Sequence, residues 1–198
     1  MRVGILALQG AFAEHAEMLR TLGVRAELVR LPVQLAGLDG LVLPGGESTS
    51  MRRLAGAVGL AGALRAFGAT RPVWGVCAGL ILLAGRVEGE EPFLGLMDMG
   101  VARNAYGRQR ESFTAGVGLD FLPEARPFPA VFIRAPRVTD TGPGVEILAR
   151  LDGAPVALRQ GHLLATAFHP ELTADPRLHR HFLDLCASMK ALPASVRS

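Results

Sequence analysis

The sequence predicts an α/β protein with three layers, α/β/α, built on a mostly parallel sheet. Residues 3–8 form a continuous apolar run, which is typical of a strand buried on both faces of a parallel sheet. Residues 12–22 place apolar side chains at helical spacing, and Gly23 follows as a stop signal. Residues 24–31 and 40–43 are again strand-like. This alternation of strand, helix and strand indicates βαβ units, and therefore a parallel sheet.

A glycine-rich loop follows the third predicted strand, with the sequence Pro44-Gly45-Gly46-Glu47-Ser48-Thr49-Ser50. Ser48 or Thr49 is expected to cap one long helix over about residues 51–67. Open α/β sheets bind ligands at the carboxyl ends of their strands, so the glycines can serve close approach of a ligand. The alternative is an ordinary glycine turn. A phosphate-binding loop is disfavoured because the lysine that would contact the phosphates is missing.

The second half of the chain has a different pattern. From residue 94 to about 166, short apolar runs alternate with Gly, Pro and Asp, which predicts antiparallel strands that extend the parallel sheet. Asp152-Gly153 is a strong hairpin-turn signal. A last helix is predicted over about 175–189, followed by a loose tail over 193–198. Since no linker interrupts the pattern, we expect a single domain over residues 1–198.

Composition excludes several classes of protein. Hydrophobic residues make up 49% of the 198, enough for a large core, and the net charge is only +3. The basic residues are dispersed, and no zinc-ligand spacing occurs, so nucleic acid is not an expected partner. Cys77 and Cys186 lie far apart and fit no metal or disulfide pattern. With no signal-peptide pattern and no apolar run long enough for a membrane, we expect a cytoplasmic protein.

Cys77 occupies the most informative position in the sequence. The apolar segment 72–76 predicts a strand, residues 78–84 predict the start of a helix, and Cys77 lies at the turn between them. Gly75 and Gly79 flank it at the spacing of a nucleophile elbow, with sulfur in place of the usual serine oxygen. A helix N-terminus favours the thiolate form of a cysteine. The alternative for Cys77 alone is a buried core cysteine.

His169 and Glu171 supply the groups that a cysteine nucleophile needs. They follow a predicted strand and are two residues apart, so in extended chain both side chains lie on one face. A carboxylate next to an imidazole sets its tautomer and stabilises the imidazolium, while the second ring nitrogen accepts a proton from a thiol. Taken singly, His169 could be a surface histidine and Glu171 a charge near a helix start. Together with Cys77 they predict a nucleophile, a base and a carboxylate that orients the base.

The order of the three residues narrows the class of enzyme. In α/β-hydrolases the acid precedes the histidine, whereas here it follows, and the papain signature is absent. The two segments Gly75-Val76-Cys77-Ala78-Gly79 and His169-Pro170-Glu171 resemble those of class I, triad-type glutamine amidotransferases. Further motifs resemble the glutaminase subunits of pyridoxal 5′-phosphate synthase: Leu8-Gln9-Gly10-Ala11-Phe12 with Glu14-His15, Leu43-Pro44-Gly45-Gly46-Glu47-Ser48-Thr49, Arg103-Asn104 with Tyr106-Gly107-Arg108-Gln109, Val131-Phe132-Ile133-Arg134-Ala135-Pro136 and Phe168-His169-Pro170-Glu171-Leu172-Thr173. Val76 departs from this family, which more often has Thr there.

The resemblance implies a flavodoxin-like fold and a reaction. Cys77 would attack the side-chain amide of L-glutamine, His169 would transfer the proton and Glu171 would orient His169. The amides of Gly46 and Ala78 would stabilise the oxyanion. The family's glutamine contacts correspond to Gly46, Glu47, Ser48, Arg103, Ile133 and Arg134.

The resemblance also implies a partner and excludes others. Ammonia would pass to a synthase subunit in a hetero-oligomer, and Gln9 and Gly10 would lie where this partner docks and activates the chain. Neither a cofactor nor a metal is implied, and neither nucleic acid nor a membrane is an expected partner. The alternatives are another ammonia-donating subunit, such as that of imidazole glycerol phosphate synthase, and a non-catalytic regulator of the same fold.

Overall fold

A seven-stranded sheet is the largest element of the structure, a computed structural model that describes residues 1–103, 112–119, 121–122 and 126–191. The strands are β1 (Arg2–Leu6), β2 (Arg25–Val29), β3 (Gly40–Leu43), β4 (Val73–Val76), β5 (Ala84–Val87), β6 (Met97–Ala102), β7 (Ser112–Val117), β8 (Phe128–Ile133), β9 (Arg137–Thr141), β10 (Glu146–Leu151), β11 (Ala154–Gln160) and β12 (Leu163–Thr166). The sheet has the order β10-β11-β12-β4-β3-β1-β2. Neighbours from β12 to β2 are parallel, and β10 and β11 add antiparallel pairs at one edge.

Helices cover both faces of this sheet. They are α1 (Phe12–Thr21), α2 (Ser48–Ala57), α3 (Leu60–Thr70), α4 (Ala78–Leu83) and α5 (Arg177–Ala191). Successive side chains of a strand point to opposite faces, and β4 shows which helices lie where. Trp74 packs against His15 of α1 and against His179 and Phe182 of α5. The next residue, Gly75, lies against the backbone of α4. The three-layer α/β/α fold with an antiparallel extension is therefore confirmed.

The parallel strands show why their sequences are so apolar. Every residue of β3, β4 and β12 is buried, because helices cover the sheet on both sides. The predicted strand bounds agree with the observed ones to within a few residues. The hairpin signal is also confirmed, since Asp152 and Gly153 have φ values of 49° and 80° and join β10 to β11.

The predicted helix over residues 51–67 is wrong in two respects. It consists of two helices, α2 and α3, because Gly59 takes a φ of 69° and breaks the helical path. Its predicted caps, Ser48 and Thr49, lie inside α2. The cap is Glu47, whose carboxylate accepts hydrogen bonds from the Thr49 and Ser50 amides at 3.0 and 2.7 Å.

The segment after α4 contains one strand, β5, before the region where the sequence predicted strands, and β6 to β9 lie within that region but do not extend the main sheet as expected. β5 begins at Ala84, immediately after α4, and pairs in parallel with β6, which in turn pairs antiparallel with β9. β7 and β8 form a separate antiparallel pair. The motif residues Asn104 and Tyr106-Gly107-Arg108-Gln109, and the tail over 193–198, lie outside the described residues. Among the residues described, no helix has the length and apolar character needed to cross a membrane.

Gly79 allows α4 to pack closely against the end of β3. A Cβ atom at Gly79 would overlap the carbonyl oxygen of Leu43 and would lie 2.7 Å from its carbonyl carbon. Backbone cannot yield as the end of a side chain can. The close contact between the turn at Cys77 and the loop after β3 therefore requires glycine at this position.

We expect Gly79→Ala to lower the free energy of unfolding by about 1–3 kcal/mol or more, because the added methyl group forces α4 away from β3. Gly62→Ala is the matched control, since Gly62 is exposed in α3 and a Cβ there would meet nothing within 4 Å. That control should raise stability slightly, by up to about 1 kcal/mol. Urea unfolding followed by circular dichroism measures both. Equal stability of the two variants would contradict the packing argument.

Candidate active site

A cavity of about 350 Å³ opens at the carboxyl ends of the parallel strands. Gln9 follows β1, Gly46 follows β3, Cys77 follows β4 and His169 follows β12. This is the edge at which open α/β sheets bind ligands. The cavity is lined by Gln9, Gly46, Glu47, Ser48, Cys77, Ala78, Ile81, Arg103, Ile133, Arg134 and His169. Of the site residues predicted from the sequence, only Gly10 and Glu171 are not in the lining, and both lie directly behind it.

Cys77 is held in a strained backbone conformation at the base of the cavity. Its φ and ψ are 50° and −100°, in a region that side-chain-bearing residues rarely adopt. The strain is maintained by neighbouring elements, since the Cys77 amide donates to the Thr166 carbonyl of β12 at 2.8 Å. The Cys77 sulfur lies 3.8 Å from the carbonyl oxygen of Ile133, and the residue as a whole is 6% exposed. The structure thus has the strand, sharp turn and helix that a nucleophile elbow requires.

His169 and Glu171 form a short hydrogen bond beside Cys77. His169 Nδ1 lies 2.7 Å from Glu171 Oε1, and the Glu171 side chain is fully buried. The main chain fixes the ring from behind, because the His169 amide donates to the Val131 carbonyl of β8 at 2.8 Å. Glu171 itself lies not in extended chain but in a short 3-10 turn, Pro170–Leu172. The two side chains still meet, as the two-residue spacing predicted.

The environment of His169 favours its protonated form. Burial alone would lower the pKa of His169, but hydrogen bonds to Cys77 and Glu171, and the charges of these two groups, raise it to about 10. A protonated imidazole next to a thiol stabilises the thiolate, which is the nucleophilic form of sulfur. The arrangement can therefore support nucleophilic attack by sulfur and proton transfer to a leaving group.

Gly45 contacts His169 in a way that the sequence did not reveal. A Cβ at Gly45 would overlap the ring carbon Cε1 of His169 and lie 2.7 Å from Nδ1. The glycine therefore lets the loop after β3 lie flat against the imidazole. The Gly-Gly pair was a visible signal, but the sequence could not show that the first glycine faces His169 instead of a ligand.

The start of the chain is in direct contact with this same loop. The side-chain oxygen of Gln9 accepts a hydrogen bond from the Glu47 amide at 2.7 Å, and the Ala11 amide donates to the Gly45 carbonyl at 3.0 Å. Gly10 has a φ of 94°, and a Cβ there would overlap the Gly45 carbonyl oxygen. Gln9 and Gly10 thus set the position of the Gly46 and Glu47 peptides.

Charged and polar side chains cover the opposite wall of the cavity. Burial opposes ionisation of Glu47, but hydrogen bonds from Ser50 and Thr49 outweigh it and lower its pKa to about 2. The Glu47 carboxylate also forms an ion pair with Arg103 at 3.3 Å. The Ser48 hydroxyl is buried and has no hydrogen-bond partner in the part of the chain that the structure describes. A ligand in the cavity could provide that partner.

Glu90 is a further residue that the sequence did not single out. It lies in a polar segment that is typical of a solvated turn, yet its carboxylate contacts Arg52 at 2.9 Å and Arg103 at 3.4 Å. Arg103 also donates to the Thr49 hydroxyl at 3.1 Å. The Arg103 guanidinium is therefore held from three sides at the cavity wall. Within the described ranges, no cluster of His, Cys, Asp and Glu has the arrangement of a metal site.

Comparison with known proteins assigns the chain to a family. The SNO glutamine amidotransferase family matches residues 5–188. The chain belongs to this family. Curated relatives named "Pyridoxal 5′-phosphate synthase subunit PdxT" include one from Deinococcus radiodurans, 54% identical over 192 residues, which cover 93% of this chain and 97% of the relative. Another, from Geobacillus kaustophilus, is 50% identical over 192 residues, which cover 96% of this chain and 97% of the relative.

Solved structures agree with this membership. A crystal structure of a glutamine amidotransferase has a TM-score of 0.88 and 48% identity, covering 93% of this chain and 98% of its own. A putative GMP synthase protein from Thermoplasma acidophilum has a TM-score of 0.72 at 20% identity, with 96% of each chain covered. That second likeness concerns the fold alone. The family resemblance seen in the sequence motifs is confirmed.

The charge state of His169 can be measured directly. We expect its ring to remain protonated at pH 8 and to titrate well above pH 7, as its raised pKa of about 10 requires. Because the folded-state pKa lies above the unfolded value of 6.5, this group's contribution to stability is complete below pH 6.5 and is lost as the pH rises through about 10. Glu171→Gln removes the carboxylate charge that helps to raise the pKa of His169, so His169 should titrate at lower pH in this variant than in the wild type.

NMR titration of ring-labelled histidine follows both proteins. Glu88→Gln is the matched control, because this exposed carboxylate lies outside the cavity lining and should leave the His169 titration unchanged. A wild-type His169 that titrates at its ordinary pKa would show that the hydrogen bonds do not outweigh burial.

Proposed function

We propose that this chain hydrolyses L-glutamine to L-glutamate and ammonia through a thioester on Cys77, and that it supplies the ammonia to the synthase subunit of pyridoxal 5′-phosphate synthase. The single observation that supports the chemistry most is the meeting of Cys77 and His169 at one cavity, with the buried Glu171 carboxylate 2.7 Å from His169 Nδ1. Family membership and the relatives' name support the substrate and the assembly.

The first half of the reaction forms the thioester. The Cys77 sulfur attacks the side-chain amide carbon of glutamine, and the carbonyl oxygen becomes an oxyanion. The amides of Gly46 and Ala78 would donate to this oxygen, and each such donor typically contributes about 3–4 kcal/mol to the transition state. When the tetrahedral intermediate collapses, the C–N bond breaks. The leaving nitrogen takes the proton from His169 and departs as ammonia.

The second half consumes water. Neutral His169 accepts a proton from a water molecule while the water oxygen attacks the thioester carbon. The C–S bond then breaks, glutamate leaves, and the proton on His169 restores the initial pair with sulfur. Glu171 keeps Nδ1 of the ring occupied throughout, so that Nε2 remains the nitrogen that exchanges the proton.

The cavity wall suits an amino acid. Arg103 and Glu47 form an adjacent pair of opposite charges, which matches the α-carboxylate and α-ammonium groups of glutamine. Arg134 adds a second guanidinium at the cavity. The Ser48 hydroxyl, which has no hydrogen-bond partner among the described residues, and the carbonyl of Ile133 would provide polar contacts for a bound side-chain amide.

Docking of the synthase subunit would act through Gln9 and Gly10. Both contact the loop that carries the proposed oxyanion donor, since Gln9 accepts from the Glu47 amide and Gly10 lies against Gly45. A partner that moves the end of β1 would therefore move the Gly46 amide. On this basis the isolated chain is nearly inactive and becomes active in a hetero-oligomer.

Glutamate release with and without the purified synthase subunit tests the proposal. We expect at least a tenfold rise when the subunit is added, and loss of release in Cys77→Ala. A glutamine-mimicking electrophile such as a diazo-oxo amino acid should label the wild type but not Cys77→Ala. Cys186→Ala is the matched control: burial raises the pKa of the Cys186 thiol to about 12, so this cysteine should take no label. Labelling that persists in Cys77→Ala contradicts the thioester, whereas high activity of the chain alone contradicts only the activation by docking.

The contact between Gly45 and His169 yields a further test. Gly45→Ala should lower kcat about 100-fold, because the new Cβ displaces the imidazole, and a misplacement of about 1 Å has an effect of that size. Gly56→Ala serves as control, since a Cβ there meets nothing within 4 Å. Steady-state glutamate release in the presence of the synthase subunit measures both. Wild-type kcat in Gly45→Ala would mean that the ring is not held by this loop.

A further inference from the structure

Two buried histidines behind the cavity have no part in the reaction described above. His15 of α1 and His179 of α5 are both 0% exposed and pack edge-on against Trp74. His15 Nδ1 lies 3.0 Å from His179 Nε2. On its other side, His15 Nε2 lies 3.5 Å from Glu171 Oε2, the carboxylate oxygen that does not contact His169. The two rings and the carboxylate thus form a continuous buried row that ends at His169.

Burial favours the neutral form of both of these histidines. Burial lowers the pKa of His179 to about 3 and, together with the neighbouring His179 and His169, lowers the pKa of His15 well below its ordinary value. A neutral imidazole has one N–H donor and one lone pair. Each ring can therefore donate on one side only, and its neighbours determine which side.

The acceptor at one end of the row determines the tautomers. Glu171 Oε2 and His15 Nε2 are both buried, face each other at 3.5 Å, and make no hydrogen bond among the residues described. An ionised carboxylate oxygen can only accept. The nitrogen that faces it must then carry the hydrogen, which places the proton of His15 on Nε2. His15 Nδ1 is left with its lone pair, and it accepts from His179 Nε2–H.

We propose that His15 is a positioning residue: its Nδ1 accepts from His179, its Nε2 donates to Glu171 Oε2, and the carboxylate is thereby held against His169. The proposal rests on the glutaminase reaction proposed above. With one oxygen bound to His169 and the other to His15, the carboxylate cannot rotate away from the ring. The separation of 3.5 Å is longer than the usual hydrogen bond, and the proposal requires it to shorten when substrate is bound, as catalytic hydrogen bonds often do relative to the ligand-free enzyme.

A pair of substitutions at one position separates donation from packing. His15→Leu fills the site but removes the donor, whereas the amide nitrogen of His15→Gln lies near the place of Nε2 and can still donate. We expect kcat of His15→Leu, measured with the synthase subunit, to fall about tenfold with KM changed less than about twofold, the size expected for one hydrogen bond to a charged group. His15→Gln should recover kcat to within about threefold of the wild type.

A spectroscopic readout is independent of activity. The Nδ1 proton of His169, in its short contact with Glu171, should give a low-field proton NMR signal in the wild type and in His15→Gln. This signal should broaden or move upfield in His15→Leu. His181→Gln is the matched control, because His181 lies on α5 two residues after His179 and packs on Phe121, away from Glu171. It should leave both readouts unchanged.

Several results would overturn the proposal. Equal effects of His15→Leu and His15→Gln would show that only packing matters, and a wild-type kcat and signal in His15→Leu would show no role at all. If His15→Leu does not fold, as judged by thermal unfolding, His179→Leu replaces it. This variant keeps His15 but removes the hydrogen bond to its Nδ1, so an unchanged low-field signal there contradicts the row. If the wild type releases no glutamate, the glutaminase proposal fails, and the NMR comparison still decides the role of His15.

Discussion

A fully buried carboxylate, that of Glu171, is the group on which the arrangement of the site depends. An isolated charge in a protein interior is strongly unfavourable, and it persists only where hydrogen bonds and an opposite charge compensate it. Here the contact with His169 at 2.7 Å supplies both. Burial opposes protonation of His169, but hydrogen bonds to Cys77 and Glu171 raise its pKa, so the protonated ring is favoured. The charge of the carboxylate, the proton of the imidazole and the reactivity of the sulfur therefore form one coupled system.

The site also requires the loops at the strand ends to pack closely against one another, and glycines make this possible. Gly79 brings the turn at Cys77 against β3, and Gly45 brings the loop after β3 against His169. The same loop contacts Gly10 at the end of β1. Three strand ends thus meet without side chains between them. Two of the non-glycine residues with positive φ in the described part of the chain, Cys77 and Arg134, also lie at this cavity, so backbone strain is concentrated where chemistry is proposed.

Features that depend on residues close together in the sequence could be predicted, whereas contacts between distant parts of the chain could not. The parallel strands were predictable because burial on both faces leaves a continuous apolar run, as in β3 and β4. The position of Cys77 at a sharp turn between a strand and a helix was predictable from its flanking glycines. The contact between His169 and Glu171 was predictable from their two-residue spacing. The split between α2 and α3 was missed because an isolated glycine, Gly59, is often tolerated inside a helix, and its positive φ becomes apparent only in the structure.

Contacts between distant parts of the chain were not predictable in this way. His15 and His179 are 164 residues apart. Glu14-His15 belongs to a motif of the family, but no local pattern showed that His15 meets His179 or Glu171. They meet because α1 and α5 cover the same face of the sheet above Trp74, a consequence of strand order and not of local sequence. Strand order also explains the contact between Gln9 and Glu47, because β1 is the neighbour of β3. The same topology that hides these contacts from the sequence joins the end of β1 to the proposed oxyanion donor, and this continuity is the physical connection that the proposed activation by docking requires.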